Sequence, residues 1–198
     1  MTTANARTSE HDIDPLFLER WSPRAFTGEA VPRAELLAMI EAGGWAASSY
    51  NSQPWRFLYA LRGAPSWDGF LGLLGESNRS WAQQAGALVV LVSNSLMRVP
   101  GAEREVPSHS HSLDAGAASA NFALQAARMG WQAHGMVGFD RERAFSELRV
   151  PQGYRVEAAY AVGRLGDPAQ LPEALRAREA PNGRRPLAEI ALEGGFPA

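Results

Sequence analysis

The sequence predicts an α+β fold, a mixed sheet packed among helices in one domain. Three observations carry this. Apolar runs of strand length recur at "WRFLYAL" (55–61), "GALVVLVS" (86–93) and "YRVEAAYAVG" (154–163). Segments with helical spacing lie between and before them. A length of 198 residues, with no internal repeat, fits a single substantial core.

In chain order, "DPLFLERW" (14–21) reads as a short amphipathic helix that ends at an arginine-rich turn. Pro32 is suited to a first helical turn, and "RAELLAMIEAGGWA" (33–46) follows with Leu36, Leu37 and Ile40 on one face. "SSYNSQP" (48–54) has turn chemistry. "GALVVLVS" is apolar throughout, as in a strand buried on both faces. Residues 94–110 read as a polar, proline-containing loop, a candidate lid. "HSLDAGAASANFALQAARMG" (111–130) is a long helix with Gly130 as its terminating C′ residue. Its alanines suit either ordinary burial or close helix packing in a dimer interface. A Pro-, Arg- and Glu-rich tail follows the last strand.

Composition excludes several classes. A formal net charge of −2 argues against nucleic acid as a partner. With no cysteine there are no disulfides or thiolate metal sites, which fits a cytoplasmic location. "MTTANARTSEHD" lacks the apolar core of a signal peptide. "ALVVLV" (87–92) is too short to cross a bilayer, so no membrane partner is expected.

No G-x-G-x-x-G, P-loop or G-x-S-x-G pattern is present. His109, His111 and Asp114 form a His-x-His group with no third histidine nearby, and no metal site is expected. His134 lies in an apolar, glycine-rich stretch and reads as a satisfied core histidine. Trp45, Trp55 and Trp81 flank polar loops, where they either wall a planar ligand or pack as core and rim. The turn "RWSPRAF" (20–26) concentrates Arg20, Ser22 and Arg24 before a helix. Such a donor cluster either sits in water or closes on an anion.

Six segments follow one another in order: "RWSPRAF", "AASSYNSQPWRF", "SNRSWAQQAGALVVLV", "LDAGAASANFALQAARMGWQAHGMVGFD", "YAVGRLGDP" and "NGRRPLAEI". Together they resemble the FMN-dependent nitroreductase family from residue 13 to about residue 190, and "AHGMVGFD" resembles a short nitroreductase-like subfamily. The resemblance implies a nitroreductase-like fold with a central, mixed, mainly antiparallel sheet flanked by helices, and an intertwined homodimer. It implies one domain over 1–198, with a disordered 1–12 and a tail over 180–198 that extends across the partner.

The implied cofactor is FMN, with NADH or NADPH as electron donor. By resemblance, Arg20 and Ser22 bind the phosphate and ribityl chain, with Trp21 contributing backbone. Arg24 matches the basic residue beside N1 and O2 of the isoalloxazine ring, and Asn78 the amide that pairs with its pyrimidine edge. The backbone of Met136, Val137 and Gly138 lines the face near N5. Arg184, helped by Arg185, completes the phosphate site. Ala47, Ser48, Ser49 and Asn51 come from the other subunit, with Gln53 and Pro54 holding that loop's shape. The chain departs from the pattern at Ala47, where many members have proline, at Val137, where some have glutamate, and at Asn182, which is basic in some relatives.

The implied reaction is ping-pong hydride transfer from NAD(P)H through the flavin to a small acceptor such as a nitro compound or quinone. No side chain is assigned as catalytic, because the flavin carries the chemistry. The alternatives are a flavin-fragmenting or dehalogenating enzyme of the same fold, or a non-catalytic flavin-binding protein.

Overall fold

The computed structural model of the chain describes residues 5–196. A short helix α1 (Leu16–Glu19) ends at Arg20, and α2 (Arg33–Gly44) follows the turn. Strand β1 (Trp55–Leu61) leads through α3 (Trp67–Gly72) and α4 (Glu76–Ala82) into β2 (Ala87–Asn94). A two-residue ladder, β3 (Leu96–Met97) with β4 (Val106–Pro107), braces the segment read as a lid. Then come α5 (His111–Arg128), β5 (Gln132–Met136), α6 (Arg141–Glu147), β6 (Tyr154–Gly163) and α7 (Glu173–Arg176).

The four long strands form one sheet in the order β1-β2-β6-β5. Every pairing in it is antiparallel, so the described residues contain no parallel component of the expected mixed sheet. The connections explain this: β1 returns as β2 after α3 and α4, and β5 returns as β6 after α6. The register is regular from Trp55↔Ser93 to Leu61↔Ala87, while the β2–β6 ladder is shifted between Leu91 and Val92.

β2 is the central spine and is buried along Ala87–Ser93. Its alternating side chains feed both faces, as a period of two requires. Leu88, Val90 and Val92 pack with Trp67, Phe70, Trp81 and Phe139 under α3, α4 and α6. Ala87 and Val89 pack on the other side with Leu36 and Met39 of α2, Phe122 of α5 and Trp131 just before β5. Leu91 joins Trp55, Ala115 and Ala118.

The small residues of α5 allow close approach within the chain. Ala115, Ala118, Phe122 and Ala126 form its buried stripe. A Cβ on Gly43 of α2 would lie 3.0 Å from the Ala118 carbonyl oxygen and 2.9 Å from Phe57. α5 ends as expected: Gly130 has φ +78°, its amide donates to the Ala127 carbonyl, and that of Trp131 donates to Ala126. β5 was not legible as a strand, nor α3, α4 and α6 as helices. "QAHGM" has no alternation, and it pairs because β6 offers a free edge.

Of the expected disordered stretch 1–12, residues 1–4 lie outside the described residues. Residues 5–12 are held by α1 and by the C-terminal segment: the Asn5 side chain donates to the Leu18 carbonyl, and the Glu10 carboxylate accepts from the Leu187 amide. Residues 197–198 of the tail also lie outside the description. Among the described residues, no helix is long and apolar enough to cross a membrane.

Candidate functional site

The turn after α1 is fixed by its apolar residues. Trp21, Pro23, Ala25 and Phe26 are buried, so the alternating Arg20, Ser22 and Arg24 are left to face a cavity. The Ala25 carbonyl accepts from the Gly166 amide at 2.8 Å and Thr27 N–H donates to the Arg164 carbonyl, which ties the turn to the chain leaving β6. Phe26 sits directly over Gly163, where a Cβ would lie 2.7 Å from its ring. These two attachments make the turn rigid.

The cavity has a volume of about 570 Å³. Arg20, Ser22 and Arg24 line it together with Arg184, as the sequence implied. Arg7, His134 and Arg178 line it too, none of them assigned to the site by the sequence reading, and Asn182, read there as a departure from the basic pattern, joins them. Arg7 is a staple. Its Nε donates to the Asn182 carbonyl at 2.7 Å, and its Nη1 donates to the carbonyls of Leu18 and Arg20 at 3.0 and 2.8 Å. Arg184 donates to the Asn182 and Gly183 carbonyls.

None of Arg7, Arg20 and Arg184 forms a salt bridge among the described residues. Burial and the neighbouring Arg184 push the Arg20 pKa down, and burial, Arg184 and Arg20 do the same to Arg7. Guanidinium groups nevertheless stay protonated. The result is three mutually repelling cations around one cavity, an arrangement that a bound anion relieves.

His134 closes the cavity floor from β5. Its Nδ1 lies 2.8 Å from the Pro23 carbonyl oxygen, which makes that nitrogen the donor, and its ring packs 4.6 Å from Trp81. Burial lowers its pKa to about 4, with Arg24 pushing the same way. The ring is therefore neutral at neutral pH. It is both the satisfied histidine the sequence suggested and a wall of the cavity.

One carboxylate stands behind the turn. Glu179 Oε1 accepts from the amides of Arg24 and Ala25 at 2.6 and 2.8 Å, and Oε2 lies 3.7 Å from Arg24 Nη1. The side chain is fully buried.

Asn78 of α4 meets the stretch after β5: its Nδ2 donates to the Gly138 carbonyl at 2.9 Å, and a Cβ on Gly138 would approach that nitrogen to 3.0 Å. Two separately assigned pieces, Asn78 and the 136–138 backbone, are thus adjacent. Met136 is buried and Val137 is largely exposed.

Ala47, Ser48, Ser49 and Asn51 are not brought to the arginine cavity of their own chain. Asn51 lines a separate cavity of about 670 Å³ with Trp45, Ala46 and Phe57. The loop is strained: Tyr50, Asn51 and Gln53 all have positive φ. Internal bonds hold it, with the Gln53 amide donating to Ser48 Oγ and Gln53 Nε2 to the Asn51 carbonyl. The Ser49 amide donates to the buried Asp114 at the start of α5. Asp114 thus anchors the loop, and His111 bonds Ser93 beside Glu157. Among the described residues no acidic or histidine cluster could hold a metal. The three tryptophans separate: Trp45 is exposed, Trp55 is core and Trp81 backs His134. Arg185 is exposed, pairs with Glu189 and does not line the arginine cavity.

The fold and the cavity can be set beside known proteins. A structure described as an oxidoreductase containing FMN aligns with a TM-score of 0.94 at 45% identity, covering 100% of this chain and 99% of the other. A protein from Desulfovibrio desulfuricans, solved in complex with FMN, aligns at 0.69 with 26% identity, covering 94% of this chain and 100% of that one. An uncharacterised 15.4 kDa protein of Mycolicibacterium smegmatis is 37% identical over 124 residues, 62% of this chain and 79% of its own length. The nitroreductase family model matches residues 18–164, which hold the arginine turn, Asn78, the whole sheet and His134. By that match the chain belongs to the nitroreductase family.

Proposed function

We propose that the protein is an FMN-dependent oxidoreductase that takes hydride from NADH or NADPH and passes it to a small acceptor such as a nitro compound or quinone. The observation that carries the reading is the group of Arg7, Arg20 and Arg184 around one cavity with no carboxylate partner among the described residues. That donor set fits a phosphate dianion, and the cavity volume is in the range of small-molecule sites. The FMN of the relative at 45% identity supports the same assignment.

FMN supplies the redox chemistry when bound. The protein's part is binding, orientation and electrostatics. Arg20, Ser22 and Arg184 hold the phosphate end, with Trp21 contributing backbone and Arg7 keeping the carbonyls of Arg20 and Asn182 in place. Arg24 and Asn78 serve the ring, and the backbone of Met136, Val137 and Gly138 lines its face. The neutral His134 offers a polar wall that brings no further positive charge. Arg185 is assigned at most a distant electrostatic contribution.

The working unit is a homodimer in the cytoplasm, in which Ala47, Ser48, Ser49 and Asn51 of the partner complete each site. The exposure of Trp45, Tyr50 and Leu113 supports this, because the loop carrying Tyr50 is bonded through Ser49 to the helix that carries Leu113. Large apolar side chains left bare near one another mark an association surface.

The test is spectroscopic. The purified protein is expected to be yellow, and the colour to bleach when NADH or NADPH is added without oxygen. A colourless protein that fails to bind added FMN overturns the reading; a yellow protein that no nicotinamide bleaches reduces it to flavin binding alone.

A further inference from the structure

Glu179 is a buried carboxylate whose two oxygens do different things. Oε1 accepts from two backbone amides of the arginine turn, at 2.6 and 2.8 Å. Oε2 is buried without a hydrogen-bond partner among the described residues, and the positive group it faces is Arg24 Nη1 at 3.7 Å. A turn-holding role accounts for Oε1 alone. A glutamine or a serine would accept from the same amides without placing a negative charge in the interior, where an ion carries a desolvation cost. The charge is therefore directed at Arg24, the one cavity arginine with a salt-bridge partner among the described residues.

We infer that Glu179 sets the effective positive charge of Arg24 and so determines how strongly the site favours reduced over oxidised FMN. The inference rests on the FMN reading above, with Arg24 at the ring end. Reduced FMN at neutral pH carries one more negative charge than the oxidised form. A bare guanidinium near that charge binds the reduced form selectively, and a neighbouring carboxylate cancels much of the difference. Among the described residues Arg7, Arg20 and Arg184 have no such partner, so of these four cations Arg24 alone is moderated. Glu179 is a positioning residue that acts through Arg24.

The experiment measures dissociation constants of oxidised and reduced FMN under anaerobic conditions, for the full chain and for Glu179→Gln, Arg24→Ala and the double variant. Circular dichroism checks folding. Glutamine keeps an acceptor for both amides, so a merely turn-holding role predicts an unchanged ratio. The expected result is a rise of about tenfold in preference for reduced FMN in Glu179→Gln, or about 30 mV for a two-electron couple. In the Arg24→Ala background the same change should move the ratio by less than about twofold, the sign of coupling in a double-mutant cycle. An unchanged ratio in folded Glu179→Gln overturns the inference while the FMN reading stands. An equal shift in both backgrounds overturns action through Arg24. Absence of FMN binding by the unaltered chain overturns both. If Glu179→Gln does not fold, Glu179→Asp draws the charge back by one methylene and should shift the ratio in the same direction; no shift there overturns the inference.

Discussion

Replacing Arg20 by methionine separates a phosphate clamp from a solvated surface arginine, because the two roles predict opposite balances of stability and affinity. Methionine keeps the apolar stem and removes the guanidinium. Among the described residues that guanidinium makes only a contact at the limit of hydrogen bonding, Nη1 to Ser22 Oγ at 3.5 Å. The bond that matters structurally is made by its backbone carbonyl, which accepts from Arg7 and survives the substitution. Removing the charge also relieves repulsion with Arg184 and Arg7. The cofactor-free variant should therefore melt no lower than the unaltered chain. FMN affinity should fall by about 1.5–3 kcal/mol, the scale of a hydrogen bond to a charged group. That is roughly 10- to 150-fold in Kd. Equilibrium dialysis at fixed salt measures the affinity and scanning calorimetry without FMN measures the stability. Unchanged affinity, or a large loss of apo stability with no affinity change, refutes the clamp.

The pKa of His134, lowered chiefly by burial from 6.5 to about 4, predicts acid sensitivity. Stability is fully present above the unfolded value of 6.5 and is lost as pH falls towards 4, where the folded ring protonates too; the loss is about 3 kcal/mol. Urea midpoints across this window should flatten in His134→Asn. A Cβ at Gly86 would lie 2.2 Å from the Glu29 carbonyl oxygen and 2.8 Å from the Val31 amide. Gly86→Ala should thus cost at least about 3 kcal/mol by chemical denaturation, since rigid backbone must move. Light scattering is expected to give a dimer whose melting temperature rises with protein concentration. Refolding Arg20→Glu with Asn51→Trp should recover FMN binding that neither variant has alone, because one heterodimer site escapes both lesions.

The parts of the fold that were legible are those whose local chemistry admits one reading. "ALVVLV" is apolar at every position, and only a strand flanked on both sides buries it all. "QAHGM" is a strand for a non-local reason: it takes the open edge of β6, which its own residues do not announce. The site divides in the same way. Arg20, Ser22 and Arg24 are near neighbours in sequence, so their convergence could be read. Glu179 reaches the Arg24 amide across 155 residues, and Arg7 reaches the Asn182 carbonyl across 175. Each sits in a stretch whose composition suggests only a solvated segment, and their roles arise from where the tail lies after folding.

That same path of the chain has a consequence for synthesis. The sheet and its two layers of helices are complete once β6 has emerged, at Gly163. The wall of the cavity is not, since Arg178, Asn182 and Arg184 are still to be translated, as is Glu179 behind the turn. A chain cut short after residue 177 should fold into the same sandwich while leaving the arginine turn without its buried counter-charge and its last cation. On the FMN reading, such a chain is expected to keep its melting temperature while losing affinity for FMN, so bound flavin would report on residues 178–184 where melting temperature does not.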